Sequence, residues 1–197
     1  MLCLDLGAGN GWLSYRLAQL GHSPVAVDLL TNSVDGLGAG ANYRRAIPQL
    51  FPRFQAELDC LPFRDSQFDC AIFSASFHYS ANYEATLGEA IRCLKPGGTV
   101  LIIDSPWYSN EESGRRMVCE RRAHFQEHFG TRSDSLGSCE YLTDQRLNEL
   151  EDSFGLCWKR YRPWYGLRWG LRPWLAKLTR RREPSVFQIY SAEVLSR

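Results

Sequence analysis

No Cys-x-x-Cys pair occurs in this chain; its seven cysteines stand singly at positions 3, 60, 70, 93, 119, 139 and 157. An odd number without short spacing argues against a zinc ribbon or a disulfide framework, and for reduced thiols as in a cytoplasm. No apolar run approaches the ~20 residues that cross a bilayer as a helix. Neither charge sign dominates: 23 Lys and Arg stand against 22 Asp and Glu, a net charge of +1. The chain as a whole therefore has no pull toward nucleic acid or membrane. Internal repeats and low-complexity tracts are absent as well. What remains is 197 residues, 44% of them hydrophobic, enough for one sizeable core and a single domain over 1–197.

Residues 4–11 read Leu-Asp-Leu-Gly-Ala-Gly-Asn-Gly, an apolar strand running straight into a glycine-rich turn. Leu13, Leu17 and Leu20 recur at helical spacing, with Gly21 placed as a C-cap. A second short strand, residues 25–28, ends in Asp28. Strand, glycine turn, helix and a strand ending in a carboxylate form half of a nucleotide-binding βαβ unit. Dinucleotide sites want Gly-x-Gly-x-x-Gly, but here Trp12 fills the third glycine position and is too bulky for close helix–strand packing.

Further along, residues 31–50 read as a frayed helix ended by Pro48 and Pro52, and residues 54–58 as a third strand. Residues 68–74 are nearly continuous in apolar side chains, as a buried parallel strand should be. An amphipathic helix over 83–94, a turn at 95–98 and a fifth strand over 99–104 follow. This alternation implies βαβ crossovers and a parallel sheet. Residues 105–141 break the rhythm, with no clear strand and one polar helix around 111–129, and read as a substrate-side insert. A helix (143–153) and strands over 156–162 and 186–194 close the domain, with 163–185 a basic and aromatic insert between those two strands.

Asp5-x-Gly7-x-Gly9-x-Gly11 resembles motif I of the class I S-adenosylmethionine-dependent methyltransferases. Leu61-Pro62-Phe63-Arg64-Asp65-x-x-Phe68-Asp69 resembles the Leu-Pro-Phe-x-Asp-x-x-Phe-Asp segment of their type 11 branch, which includes quinone-biosynthesis methyltransferases. Arg92-Cys93-Leu94-Lys95-Pro96-Gly97-Gly98-Thr99 is similar to the same branch's turn before the fifth strand. In order and spacing these matches cover residues 2–104, about half the chain. The resemblance implies an α/β, Rossmann-like doubly wound sheet, mostly parallel with an antiparallel last strand, in the order 3-2-1-4-5-7-6. Such enzymes usually carry one or two helices ahead of motif I, and these N-terminal helices are missing from a chain whose first residues are already strand. A truncated sequence and a naturally short enzyme with an open cleft both fit.

The resemblance also implies S-adenosylmethionine as cofactor. Asp5, Gly7, Ala8, Gly9 and Gly11 would receive its methionine part, where a helix start offers free N–H groups. Asp28, with Leu29 beside it, would accept from the ribose hydroxyls; Glu57 and the Leu58 N–H would meet the adenine; Ser74 ends the fourth strand beside the turn. Four residues before Leu-Pro-Phe the family often has Asp where this chain has Glu57, and an ordinary surface acid is the alternative there. Asp5 could instead orient the turn through hydrogen bonds.

The activity implied is methyl transfer to a small-molecule or lipid-like acceptor by in-line displacement, which asks mainly for positioning. A base is needed only where the acceptor must lose a proton. His78, just past the fourth strand, is the candidate, titrating near ~6.5 if unperturbed; a histidine packed in the cleft wall is the alternative. Tyr79, Asp104 and Tyr108 lie at the same edge as acceptor-side candidates. His124 and His128 are spaced i, i+4 on a helix but lack a third ligand, so a solvated face is expected and no metal. Rival readings are another transferase or a dehydrogenase on the same fold, and a non-catalytic cofactor- or partner-binding module. An aminopropyl transferase would want an acid-rich pocket after the fourth strand, which is lacking, and Trp12 opposes the dehydrogenase.

Residues 158–182 hold nine Lys and Arg and no acid, interleaved with Trp158, Tyr161, Trp164, Tyr165, Trp169 and Trp174. Three readings are open: a hairpin whose tryptophans pack on the domain, a peripheral contact with a membrane interface, and, least favoured, a nucleic-acid surface.

Overall fold

The computed structural model describes residues 1–133, 137–179 and 182–194. Strand β1 (Leu2–Leu6) alternates strictly: Leu4 and Leu6 enter the main core, while Cys3 and Asp5 point to the other face. Helix α1 (Trp12–Gln19) covers that second face, laying Leu13 and Leu17 against Cys3, with Gly21 left-handed just beyond its end. Strand β2 (Ser23–Asp28) pairs parallel with β1, and β3 (Arg53–Gln55) with β2. Between them the expected frayed helix is a 3-10 helix, Leu37–Arg45. Strand β4 (Phe68–Ser74) returns to the opposite side of β1, also parallel. The chain therefore reverses its winding between β1 and β4, where open α/β sheets form their ligand crevice.

Helix α2 (Tyr83–Cys93) buries Tyr83, Leu87, Ala90 and Cys93, and Asn82 caps it by accepting from the N–H groups of Glu84 and Ala85. Strand β5 (Leu94–Ile103) starts earlier than the expected fifth strand: the Lys-Pro-Gly-Gly turn is absorbed as an irregularity opposite Phe68 and Cys70, with Gly97 left-handed. Arg92 binds two of the motif segments together, donating to the Phe63 and Leu61 carbonyls and pairing with Asp65 at 2.7 Å.

Beyond β5 lie β6 (Pro106–Trp107), α3 (Glu111–Phe129), α4 (Asp144–Phe154) and β7 (Lys159–Tyr161). Helices α5 (Leu167–Gly170) and α6 (Arg172–Leu178) precede β8 (Val186–Phe187) and β9 (Ile189–Glu193). The expected last strand is thus divided at Gln188: β8 pairs antiparallel with β6 in a small second sheet, while β9 pairs antiparallel with β5. The seven-stranded sheet runs β3-β2-β1-β4-β5-β9-β7. Counting only its own strands in chain order, that is 3-2-1-4-5-7-6, the order expected.

Among the described residues of 158–182 the tryptophans do not all pack on the domain. Trp158 is buried and Trp169 lies 6.0 Å from the Phe187 ring, but Trp164 and Trp174 are 76% and 72% exposed on or beside the two short helices. Arg180 and Arg181, which belong to the same basic run, lie outside the described residues.

Candidate active site

The glycine turn leaves β1 through three left-handed residues, Gly7, Gly9 and Gly11, with φ of 73°, 53° and 78°. A side chain at Gly7 would run into Ser76, and one at Gly11 into the Phe51 ring. Gly9 differs, since a Cβ there would meet nothing nearer than the Asp35 carbonyl at 3.4 Å. The protein leaves the space over Gly9 open, as a groove for a close-lying ligand requires. Gly7 and Ala8 both donate to the Val27 carbonyl at 2.9 Å, clamping the turn onto the end of β2.

Asp28 ends β2 as expected and holds two backbone groups: Gly9 N–H donates to Oδ2 at 2.7 Å and Leu30 N–H to Oδ1 at 2.8 Å. Each oxygen keeps a second lone pair, so a vicinal diol could still donate to it. Leu29 is half-buried, its carbonyl taken by the Gln55 side chain. Glu57 does not end β3: that strand stops at Gln55, and Glu57 stands exposed two residues on, followed by half-buried Leu58. Strand β3 stops there because its partner β2 ends at Asp28, opposite Gln55.

Asp5 is fully buried under α1, where its Oδ2 accepts from both the N–H and the hydroxyl of Ser14, at 3.0 and 2.7 Å. Burial pushes its carboxyl up to about 6 against the opposing Ser14 hydrogen bonds, and its other oxygen has no protein partner. It ties the start of α1 to β1 from beneath. Ser14 could have been found in the sequence, since it is the one small polar residue among the leucines of that helix.

Ser74 ends β4 beside the turn. Just past it Ala75 adopts a left-handed φ of 54°, and Asp104 does the same at 55° after β5, so both strands turn sharply at the carboxyl edge. Ser76 is buried, with its hydroxyl donating to the Leu6 carbonyl. The motifs gave no sign of this residue, which packs against Gly7.

His78 sits on a single 3-10 turn, Phe77–Tyr79, with Nδ1 3.4 Å from the Ser105 hydroxyl. Its carbonyl accepts from the Glu140 N–H at 2.7 Å. Burial, and then the charge of Arg121, hold its imidazole down at about 4. That replaces the unperturbed value expected from sequence. Arg121 is in turn bound to Glu140 at 2.7 Å, a buried acid with a left-handed φ of 64°. Neither Arg121 nor Glu140 belonged to any recognised motif.

The acceptor-side candidates separate. Tyr79 is exposed, its ring tilted against His78 with ring centres 4.3 Å apart, and Asp104 is exposed. Tyr108, by contrast, is fully buried and its hydroxyl accepts from Arg182 at 3.1 Å, so it packs rather than presenting an open face. His124 and His128 lie with ring centres 4.1 Å apart on α3; among the described residues no group of three potential metal ligands exists. An open depression of about 560 Å³ lies beside β3, lined by Thr31, Leu37, Arg44, Phe51, Arg53 and Gln55, and adjoins the groove rather than containing the glycine turn.

A family described as "Methyltransferase domain" matches residues 4–102. The ubiquinone/menaquinone biosynthesis C-methyltransferase UbiE of Francisella tularensis subsp. novicida is 30% identical over 103 residues, 51% of this chain and 41% of the relative. An uncharacterized protein of Mycobacterium tuberculosis is 29% identical over 119 residues, 60% of this chain and 41% of the relative. The aligned part thus spans about two-fifths of the length of these curated relatives. Among solved structures, the YcgJ protein of Bacillus subtilis superposes with a TM-score of 0.69 at 14% identity, covering 100% of this chain and 92% of its own. An S-adenosylmethionine-dependent methyltransferase of Mesorhizobium loti gives 0.62 at 21% identity, covering 97% and 89%. At such identities these structures show a shared fold.

Proposed function

The chain belongs to the methyltransferase domain family, type 11, of the class I S-adenosylmethionine-dependent methyltransferases, and from that premise we propose that it transfers a methyl group to an apolar, small-molecule or lipid-like acceptor. The observation that carries the cofactor reading is the clamp of Gly9 onto Asp28 beneath an open groove. Nothing of the protein crowds Gly9, and Asp28 retains acceptor capacity for a ribose diol, so the residues present fit S-adenosylmethionine. When bound, that cofactor supplies a methyl group already activated by a sulfonium leaving group.

The chain's own part is then to bind and orient. Gly7, Ala8, Gly9 and Gly11 shape the floor, Asp28 with Leu29 sets the ribose position, and Glu57 with Leu58 lies at the adenine side. Ser74 and His78 border the side from which an acceptor approaches, with Tyr79 and Asp104 exposed next to them. His78, neutral throughout the neutral pH range, is available to take a proton from an acceptor that must lose one. The relative named for ubiquinone/menaquinone C-methylation supports a quinone-like acceptor. Free thiols, both buried and exposed, suit a cytoplasmic setting.

Calorimetric titration with S-adenosylmethionine and its demethylated product tests the cofactor assignment; both should compete for one site. Radiolabelled methyl transfer to a cell extract then separates an enzyme from a binding module, because a module would bind and transfer nothing. Binding of NADH in place of the sulfonium cofactor would favour a dehydrogenase.

A further inference from the structure

Charge is sharply divided along this nearly neutral chain. Residues 158–182 hold nine of the 23 basic residues and no acid, so the rest carries fourteen Lys and Arg against all 22 Asp and Glu. The helices in that segment are apolar on the outside: Trp164, Leu167, Leu171, Trp174, Leu175 and Leu178 are each more than half exposed. Exposed apolar side chains grouped on two short helices are costly in water unless something covers them. Arg168 and Lys177 are exposed among them, and Arg172 lies over the Trp169 ring at 3.9 Å.

We propose that helices α5 and α6 form a docking surface for an anionic lipid bilayer, the tryptophans and leucines entering the interface while the basic residues meet the headgroups. A second copy of the chain fits poorly, since a symmetric contact would set the same cationic residues against each other. Single-stranded nucleic acid fits poorly as well, because four of the six apolar groups are leucines, which offer no face for a base to stack on.

The topology gives the surface its use. Strand β9 is antiparallel to both β5 and β7, so β7 runs parallel to β5 and its last residue, Tyr161, lies at the carboxyl edge of the sheet. The insert therefore leaves the sheet at the edge that holds the glycine turn, Ser74 and Asp104. Tyr165, just before α5, is near enough to Asp104 to feel its charge. If methyl transfer is the activity, docking through α5 and α6 brings the mouth of the acceptor cleft to the membrane, where an apolar acceptor would be found.

Sedimentation with vesicles tests this on the whole protein. It should pellet with vesicles containing phosphatidylglycerol and stay in solution with phosphatidylcholine alone, and salt should release it. Replacing both Trp164→Ala and Trp174→Ala should cut the bound fraction about tenfold, and Arg168→Gln with Lys177→Gln should weaken binding at low salt. These four side chains are exposed, so circular dichroism and cofactor affinity should be unchanged. Arg182 is unsuited to the test, because it pairs with Glu120 at 2.7 Å and supports Tyr108. Equal recovery in solution with both vesicle types, or pelleting of the tryptophan variant as wild type, would overturn the proposal. So would a tryptophan-dependent dimer in light scattering, or tighter binding to an RNA oligonucleotide than to the anionic vesicles. Vesicle binding without cofactor binding would instead sink the methyl-transfer reading and leave this surface standing.

Discussion

The backbone N–H of Gly9 donates to Asp28 Oδ2 at 2.7 Å, so the residue that opens the groove is held by the carboxylate that borders it. One side chain thereby fixes the turn's shape, and in the proposed reading its remaining lone pairs serve a ligand. Asp28→Ala should weaken S-adenosylmethionine binding by ~1–3 kcal/mol, from lost hydrogen bonds to a charged acceptor and a loosened turn. Calorimetry reads this directly, and unchanged affinity would remove Asp28 from the site.

The three glycines should fail in different ways. Gly7→Ala adds a left-handed alanine and a collision with Ser76, so the fold itself should lose roughly 2–4 kcal/mol. Gly9→Ala carries little beyond the backbone strain, about 1 kcal/mol, because its Cβ meets only the Asp35 carbonyl at 3.4 Å, an ordinary contact. Its cofactor affinity should nevertheless fall, and Gly9→Val should abolish binding. Thermal melts beside calorimetry separate the two; a stable Gly7→Ala protein with normal binding would contradict the packing seen here.

The left half of the sheet and the cofactor edge were legible because local signals and fold agree there. The glycine turn, the strand ending in Asp28 and the apolar run to Ser74 each fix one strand end. Residues 54–58 read as a strand, yet β3 is Arg53–Gln55, because its partner β2 ends at Asp28 opposite Gln55, which no local pattern records. The Lys-Pro-Gly-Gly segment reads as a turn by composition; in the fold it bulges out of the β4 pairing between Leu94 and Thr99, with Gly97 left-handed and its N–H donating to the Val194 carbonyl. Asp5 with Ser14, Ser76 against Gly7, and Arg121 with Glu140 near His78 are all long-range meetings. Side chains distant in sequence make them, so spacing rules are blind to them.

His78 is held down to about 4 by burial and by Arg121. If it takes the acceptor's proton, its active neutral form is populated across the neutral range. Turnover should then stay level from pH ~8 down to ~6 and fall only as pH drops toward about 4, instead of rising through the ~6.5 of free imidazole. His78→Ala should cut turnover by about two to four decades with cofactor affinity intact. Arg121→Met, by removing the nearby positive charge, should move the imidazole titration upward in an NMR pH series. A rate that climbs through the free imidazole value would place the essential base elsewhere.

Asp5 and His78 pull stability in opposite directions with pH. His78's folded value lies below its unfolded one, so its contribution is present above ~6.5 and is lost as pH falls toward about 4. Asp5's folded value lies above its unfolded 3.8, so its contribution is present below that value and is lost as pH rises through about 6. Comparing wild type with Asp5→Asn isolates the second term, since His78 titrates alike in both proteins. Asparagine keeps an oxygen facing Ser14 and carries no charge to bury. Its stability relative to wild type should therefore improve by about 2 kcal/mol between pH ~4 and ~7, most of the free-energy equivalent of the Asp5 shift. Any constant cost of the substitution cancels in that comparison. Urea unfolding of the cofactor-free protein at the two pH values measures the change, and a stability difference independent of pH would mean that Asp5 is not buried in its charged form.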